Sequence, residues 1–536
     1  MSESSPSSQK PGRSLASIAT IVAIATLISK LAGLVRQQAI AAEFGAGAAV
    51  DAYQYAYIIP GFLFILLGGI NGPFHSSIIS VLAKRRSEEA AALIETINTL
   101  VGGLLLIVTV VLMVLADPLL QLIAPGAPPE VHRIAVEQFQ IMAPLAVLSG
   151  LIGIGFGTLN ASDQYWLPSI SPLLSSITVI LGVWFLSDEF GPAVLAWGTL
   201  AGGFLQWFAQ IPAQWKSGMG TLRLRFDFGE PAVQEIYRLM GPATLSSGML
   251  LISVYITTVF ASQLPVGAAS ALGYAQLLFL TPLGILSNVI LVPYMPIFSK
   301  LAAPPHWPAL KERIRQSLVL TAMSMMPVGA LMAALALPAV RVVYERGQFD
   351  TQASNLVSSL LLVYAIGMFF YLARDVLVRV FYGLGDGRTP LAITLLGLGF
   401  NLLFCYFFTQ AFGAQGLAMS TVGVNTVSMF ILLGLVSRRL NGLPWRSIGG
   451  PILGIGLGSL LCGAASWATL KGVQHLLGTE GLLIQLVELT VAGVVGSLVF
   501  ALAVWMLKLP EVSFFGQRLR QRLPFLRSPA ANNPPE

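Results

Sequence analysis

The chain has 536 residues, of which 55% are hydrophobic and only 10% charged. Soluble globular domains carry about 25% charged residues, so this composition excludes a soluble enzyme or binding module and identifies a membrane protein. The net charge of +6 is small, but the placement of the cations is informative.

Apolar runs of ~18 or more residues with few charges span a bilayer as helices, and an open sheet cannot satisfy its backbone in lipid. The pattern predicts about fourteen spans: 15–41, 52–82, 91–117, 131–160, 168–187, 191–215, 232–262, 268–301, 309–339, 351–383, 388–411, 414–437, 447–471 and 481–508. The N-terminal tail 1–14 and the terminal SPAANNPPE are expected to be disordered, and 509–536 is expected to be a cytoplasmic tail. Lys10 and Arg13 precede the first apolar run in the manner of a signal peptide. That run is too long and is interrupted by Lys30 and Arg36, so it reads as a retained span. Alternate loops differ in cations. One set holds Lys84 to Arg86, Arg223, Arg225, Lys311, Arg313, Arg388, Arg438 and Arg439; the other holds little beyond Arg133, Arg341, Arg346 and Lys471. Cationic loops remain cytoplasmic, which places both termini inside.

The first span reads ATLISKLAGLVRQQAI. Ser29, Gly33 and Arg36 share one stripe by helical spacing, with Lys30 on the adjacent one. A charge at mid-bilayer costs at least ~2.5–3.5 kcal/mol. Two cations with no acid beside them therefore point to an anion site, the alternative being that they snorkel to an interface. Asp51 opens the second span. Two readings stand: it caps its own helix against the dipole, or it pairs with a first-helix cation as a gate. The same span then runs IIPGFLFILLGGINGPFHSS, where Pro and Gly predict a bend. Asn71 and His75 beside that bend either line a cavity or make interhelical hydrogen bonds.

In the tenth span, GMFFYLARDVLVRVFYG, Asp375 and Arg379 are four apart and able to neutralise one another. Arg374 points elsewhere and needs another partner. The preceding outer loop, VVYERGQFDTQ, offers Tyr344 and Phe349 as interface anchors, with Glu345, Arg346 and Asp350 as a latch or a solvated turn.

The two halves echo each other at an offset of roughly 220 residues, the self-similarity expected of a duplicated unit. GAAVDAYQYA from Gly47 matches GAASALGYAQ from Gly267. GPAVLAWGT from Gly191 matches GAQGLAMST from Gly413. FGTLNASDQYWLP, ending at Pro168, loosely matches FYGLGDGRTP, ending at Pro390. Six helices lie between equivalent points, so the halves share one topology and are related by an axis along the membrane normal. The expected architecture is an all-α polytopic membrane protein: a six-helix lobe at 15–215, a second at 232–437 related to it by a pseudo-two-fold, and two further helices at 447–508.

No phosphate-cradling GxxxxGK[ST] loop and no HExxH motif occur. The four histidines (His75, His132, His306, His475) are scattered, and Cys405 and Cys462 cannot hold a metal alone. No cofactor, metal site, catalytic residue or nucleic-acid partner is expected, and any energy must come from a gradient, the membrane potential or the substrate itself.

At these residues a family resemblance appears. SKLAGLVRQQAIAAEFGAGAAVDAYQYAYIIPG from Ser29, LPVGAASALGYAQLLFLTPLGIL from Leu264, YERGQFDTQ from Tyr344 and FYGLGDGRTP from Phe381 resemble the MurJ/MviN lipid II flippases of the multidrug/oligosaccharidyl-lipid/polysaccharide exporter superfamily. The resemblance implies two six-helix lobes and a cationic cavity for the pyrophosphate and sugar headgroup of an undecaprenyl-linked peptidoglycan precursor. It also implies a groove for the lipid tail at 447–508. The family's helix 1 Ser-Arg pair and later arginine fall on Ser29, Lys30 and Arg36, and its helix 2 aspartate falls on Asp51. Lys30 keeps the charge of the usual arginine but loses its fork. The segment IPGFLFILL lacks an arginine pair found in many members, and YAQLL has Gln276 and Leu277 in place of an Asp-Arg. Arg374 and Arg379 are the cations expected to compensate.

The function implied is translocation of lipid II from the inner to the outer leaflet of the bacterial cytoplasmic membrane by alternating access, for cell wall synthesis. Membrane lipids and cell wall synthesis proteins are the implied partners. Substrate contacts would fall on Ser29, Lys30, Arg36, Asn71, His75, Arg374 and Arg379, and gating on Gly33, Asp51 and Asp375. The alternatives are an exporter of another polyprenyl-linked glycan or amphiphile, a membrane-embedded lipid-modifying enzyme, and a scaffold. The lack of clustered carboxylates or histidines speaks against the enzyme, and the intramembrane cations speak against the scaffold.

Overall fold

The computed structural model describes residues 15–69, 73–82, 87–218, 223–227, 229, 231, 234–235, 248, 251–479 and 481–507. Every regular element among them is helical. Ten helices are long and apolar enough to cross a membrane, or eleven if one bent pair is counted as a single span. The expected fourteen spans are therefore matched in kind, while the count among the described residues is lower. Only Leu251–Ala261 of the expected 232–262 span is described as a continuous helix.

In chain order the helices are α1 (Leu15–Phe44), α2 (Ala48–Gly68), α3 (Pro73–Leu82), α4 (Ser87–Val114), α5 (Ala116–Ile123), α6 (Pro129–Met142) and α7 (Leu145–Ala161). Next come α8 (Trp166–Ile170), α9 (Pro172–Phe190), α10 (Ala193–Lys216), α11 (Leu251–Ala261) and α12 (Ala268–Lys300). The remainder are α13 (Trp307–Ala334), α14 (Ala336–Tyr344), α15 (Thr351–Gly383), α16 (Arg388–Phe412), α17 (Ala414–Arg439), α18 (Trp445–Leu477) and α19 (Leu482–Met506). The large side chains exposed on the last two, such as Leu460, Leu483 and Leu498, are what a bilayer covers and water does not.

The chain divides into two compact units, Met1–Ser270 with Arg346–Phe349, and Ala271–Glu345 with Asp350–Glu536. In the first, α2 packs on α6 and α7, α4 on α7, and α9 on α1 and α10. A core of Leu66, Ile78, Leu93 and Ile154 fills it. In the second, α13 packs on α15 and α18, α17 on α15 and α16, and α18 on α19.

Each unit breaks a span at the same place, and the cause is legible. Pro118 and Pro338 each stand third in a short helix, α5 and α14. Proline has no N–H to return to the carbonyl four residues back. The preceding helix therefore stops, at Val114 and at Ala334. The linking residues Leu115 (φ −91°, ψ 13°) and Leu335 (φ −107°, ψ 16°) adopt the same conformation. The α6–α7 pair bends by 41° beside Pro144, where the equivalent α15 is continuous.

The repeat extends to the turns. Gln164 N–H donates to Leu159 O and Asp386 N–H to Phe381 O, each at 2.9 Å. This closure runs from just past the helix end back into its last turn, and it occupies equivalent positions in the two units. The residue before each donor, Asp163 (φ 58°) and Gly385 (φ 75°), is left-handed. α9 and α16 likewise end on Gly191 (φ 52°, ψ −140°) and Gly413 (φ 57°, ψ −130°).

Candidate functional site

In the first unit, Ser29 donates its hydroxyl to Ala25 O at 2.9 Å in its own helix and to Ser169 O at 3.2 Å, tying α1 to α8. Lys30 is exposed and forms no salt bridge among the described residues. Arg36 is half-buried. Its Nε is buried without a hydrogen-bond partner, and the charge lies within electrostatic reach of the Tyr57 hydroxyl. A Cβ at Gly33 would meet nothing within 4 Å, so the α1 face between Ser29 and Arg36 is open at that point.

Asp51 stands in the first turn of α2, where it complements the dipole, but its carboxylate makes no side-chain cap there and no salt bridge to α1 among the described residues. It receives three hydrogen bonds at the start of α12: from Gly267 N at 2.6 Å, Ser270 N at 2.7 Å and Ser270 Oγ at 2.7 Å. The N-terminal N–H groups of a helix have no intrahelical partners and carry the positive end of its dipole. A fully buried carboxylate is satisfied there without a counter-cation. The charge-assisted bonds are short, as expected.

A second segment closes on the same α1–α2 turn. Gln348 N–H donates to Ala42 O at 2.8 Å. Gly347 (φ 56°) and Gly267 (φ 96°) are pressed so closely on Ala42 O and Ala46 O that a Cβ at either would collide. Only glycine combines that conformation with that approach. The turn at Gly45 to Gly47 is thus clasped by residues from two distant parts of the chain. The loop is a turn with Arg346, Gly347, Gln348 and Asp350 exposed, but its two aromatics are not interface anchors. Tyr344 and Phe349 are buried, and Asp350 caps α15 through Ala353 N at 2.8 Å.

Asn71 lies outside the described residues. His75 on α3 is buried, and Asn160 Nδ2 donates to its Nε2 at 2.6 Å, which fits interhelical bonding between α3 and α7.

In the second unit the expected Asp375–Arg379 pair does not form. Arg374 takes the carboxylate instead, Nη1 to Asp375 Oδ1 at 3.2 Å, and Arg379 acts on it only at longer range. A helical pair spaced by four is worth only ~0.2–0.5 kcal/mol, so the spacing alone does not hold Arg379 to Asp375. Arg374 still keeps a buried Nε without a partner. Nearby, α13, α15 and α18 enclose an apolar groove of about 680 Å³, lined by Met325, Ile366, Phe370, Leu457 and Trp467 among others.

Two polar features escaped the sequence reading. Gln206, Gln210 and Gln214 recur at every fourth position along α10. Gln210 Nε2 donates to Gln206 O and Gln214 Nε2 to Thr158 Oγ1. Tyr53 and Tyr57 recur at the same spacing on α2. In both cases a helical-turn period of one side-chain type was the available signal.

The Lipid II flippase MurJ family model matches residues 40–492. A probable lipid II flippase MurJ of Synechocystis is 53% identical over 96% of this chain and 98% of its own length. The lipid II flippase MurJ of Burkholderia cenocepacia is 28% identical over 77% and 82%. Among solved structures, a lipid II flippase MurJ in an inward closed conformation aligns with TM-score 0.75 at 22% identity, over 93% of this chain and 99% of that one. An inward-facing multidrug resistance MATE family transporter of the MOP superfamily aligns at TM-score 0.61 and 16% identity, over 79% and 98%. Both support the fold. Membership of a flippase family places the chain among transporters and not enzymes. The full-length match and the family model together show that this multi-span helical membrane protein belongs to the MurJ family of lipid II flippases.

Proposed function

We propose that the chain carries lipid II from the inner to the outer leaflet of the bacterial cytoplasmic membrane by alternating access, with both termini cytoplasmic as the cation distribution of the loops supports. The observation that carries this reading is Arg36: a half-buried guanidinium in a membrane helix with a buried, unpartnered Nε. Such a group lacks an anion, and a pyrophosphate supplies one. Lys30, exposed on the next stripe, adds charge without geometry. Arg374 and Arg379 are the second unit's own substrate-binding cations, with Asp375 holding Arg374 in place. Ser29 fixes α1, and Gly33 leaves space beside it. His75, which accepts from Asn160, and Asn71 shortly before it in sequence are the first unit's polar, uncharged candidates for substrate contact. The α13–α15–α18 groove, apolar and of about 680 Å³, takes part of the polyprenyl tail. Asp51 acts as a gate: its three bonds to the start of α12 break and re-form as the α1–α2 turn is released and clasped again. Two lobes, 15–215 and 232–437, perform the exchange, with 447–508 serving the tail.

The double substitution Lys30→Gln, Arg36→Gln tests the reading. With membrane insertion verified, lipid II transport should fall about 10- to 100-fold, the loss of one charge-assisted contact of ~1.5–3 kcal/mol. Full activity would remove α1 from the mechanism. Depletion in living cells should strand precursor inside; normal exposure of lipid II outside would sink the assignment. A second reading, export of another polyprenyl-linked glycan or amphiphile, is favoured by the uncharged IPGFLFILL segment of α2. Substrate competition in proteoliposomes separates the two.

A further inference from the structure

Tyr53 and Tyr57 have no part in the reading above. They stand one helical turn apart on α2, ring centroids 5.7 Å apart and planes within 16°. Thr199 gives its one hydroxyl hydrogen to Leu195 O at 2.7 Å. Tyr53 is therefore the donor to Thr199 Oγ1 at 2.8 Å, and its ring is pinned to α10. Tyr57 continues the row one turn on, over Gly61, where a Cβ would collide with three atoms of the ring. The missing side chain lets the ring lie against the helix. Tyr55, on another face of the same helix, is an ordinary core residue at 3% exposure. Tyr53 and Tyr57 are only half-buried, and Arg36 with its unpartnered Nε lies within electrostatic reach of Tyr57.

We propose that Tyr53 and Tyr57 form a platform for the sugar rings of the lipid-linked substrate, with Arg36 at its edge for the phosphate. The inference rests on the lipid-linked glycan reading. An aromatic face carries partial negative charge and its edge partial positive charge. The C–H face of a pyranose is partly positive and flat, so it stacks there. Two tyrosines locked by packing lose little conformational freedom on binding. This α2 presents aromatic surface where its later half, IPGFLFILL, offers no charge.

The test compares binding of undecaprenyl pyrophosphate with and without its disaccharide to the full chain in nanodiscs. Wild type should prefer the disaccharide form. Tyr57→Ala should weaken that form about 10-fold and leave the sugar-free lipid unchanged. Gly61→Ala, which displaces the ring, should reproduce the loss, and Tyr57→Phe should stay within about twofold of wild type. Equal loss for both lipids, loss for neither, or a Tyr57→Phe defect as large as that of Tyr57→Ala overturns the platform alone. A wild-type protein that binds neither lipid overturns the flippase reading and the platform with it.

Discussion

The two halves of this chain have nearly the same backbone and different chemistry. The proline-induced breaks at Leu115 and Leu335 and the glycine turns at Gly191 and Gly413 recur at equivalent positions of the repeat. The charges do not recur. Arg374, Asp375 and Arg379 stand where the first unit has Ile152, Gly153 and Gly157. Lys30 and Arg36 have no counterpart in α11, where Leu251–Ala261 is uncharged throughout. A duplicated fold supplies its own control. What both copies keep serves the packing of six helices, and what one copy holds alone carries the substrate and gate roles proposed above.

The sharpest way to break this comparison is Asp51, which is present in one copy; Ala271 stands at the corresponding position of the other. Asp51→Ala removes three bonds to the start of α12. The loss should exceed ~3 kcal/mol of local stabilisation and reduce transport per inserted molecule about 100-fold. Asp51→Asn keeps one acceptor oxygen and should fall between. A transport assay on protein quantified by tag fluorescence reads this. If Asp51→Ala lowers thermal stability but not transport per folded molecule, Asp51 is scaffold and the division fails.

The spans were legible because lipid imposes a length and a polarity on every helix, and the repeat was legible because three segments matched in order. The outer loop was misjudged. Tyr344 and Phe349 looked like interface anchors by residue type, yet both are buried, since Gln348 N–H bonds Ala42 O and draws the loop inward. The partners of Asp51 were out of reach for a similar reason: Gly267 and Ser270 lie far along the chain, and local rules supply only candidates on the same or the next helix. Arg374 took the carboxylate assigned to Arg379, because a four-residue spacing is worth only a few tenths of a kcal/mol and does not fix which rotamers meet. The helical-turn periods of Gln206 to Gln214 and of Tyr53 and Tyr57 were readable but resembled ordinary helix faces until exposure and partners were known.

The shared features should behave alike in both copies. Gly191 and Gly413 have φ 52° and 57° with ψ −140° and −130°, and an added Cβ at either meets nothing within 4 Å. Alanine at either is therefore opposed by its own backbone and not by a neighbour. Gly191→Ala and Gly413→Ala should each cost ~1–3 kcal/mol, equal within ~0.5 kcal/mol, with transport per folded molecule unchanged. Thermal unfolding in one detergent measures both. A difference above ~1 kcal/mol would show that the turns are copies in shape and not in load.

The smallest expected effect comes from Asp386, whose counterpart in the first unit is Gln164. Asp386 accepts from Thr389 N at 3.0 Å, Thr389 Oγ1 at 2.8 Å, Arg388 N at 3.1 Å and Arg439 Nη1 at 2.6 Å. These donors, the Thr389 N–H first, hold its carboxyl below the ordinary carboxylate value. The unfolded chain then takes up the proton more readily than the folded one. The contribution is present in full above the ordinary value of ~3.9 and is lost as pH falls through the lowered folded value. Gln164 does not titrate, so the α15–α16 turn should weaken in acid while the α7–α8 turn does not. The ion pair to Arg439 is partly exposed and screened, which limits the change in Tm between pH 5 and pH 3 to about 2 °C. Asp386→Asn should remove that part of the pH dependence and leave the rest. An unchanged slope in Asp386→Asn would mean that the acid sensitivity belongs to other carboxylates and that the cap contributes equally in both protonation states.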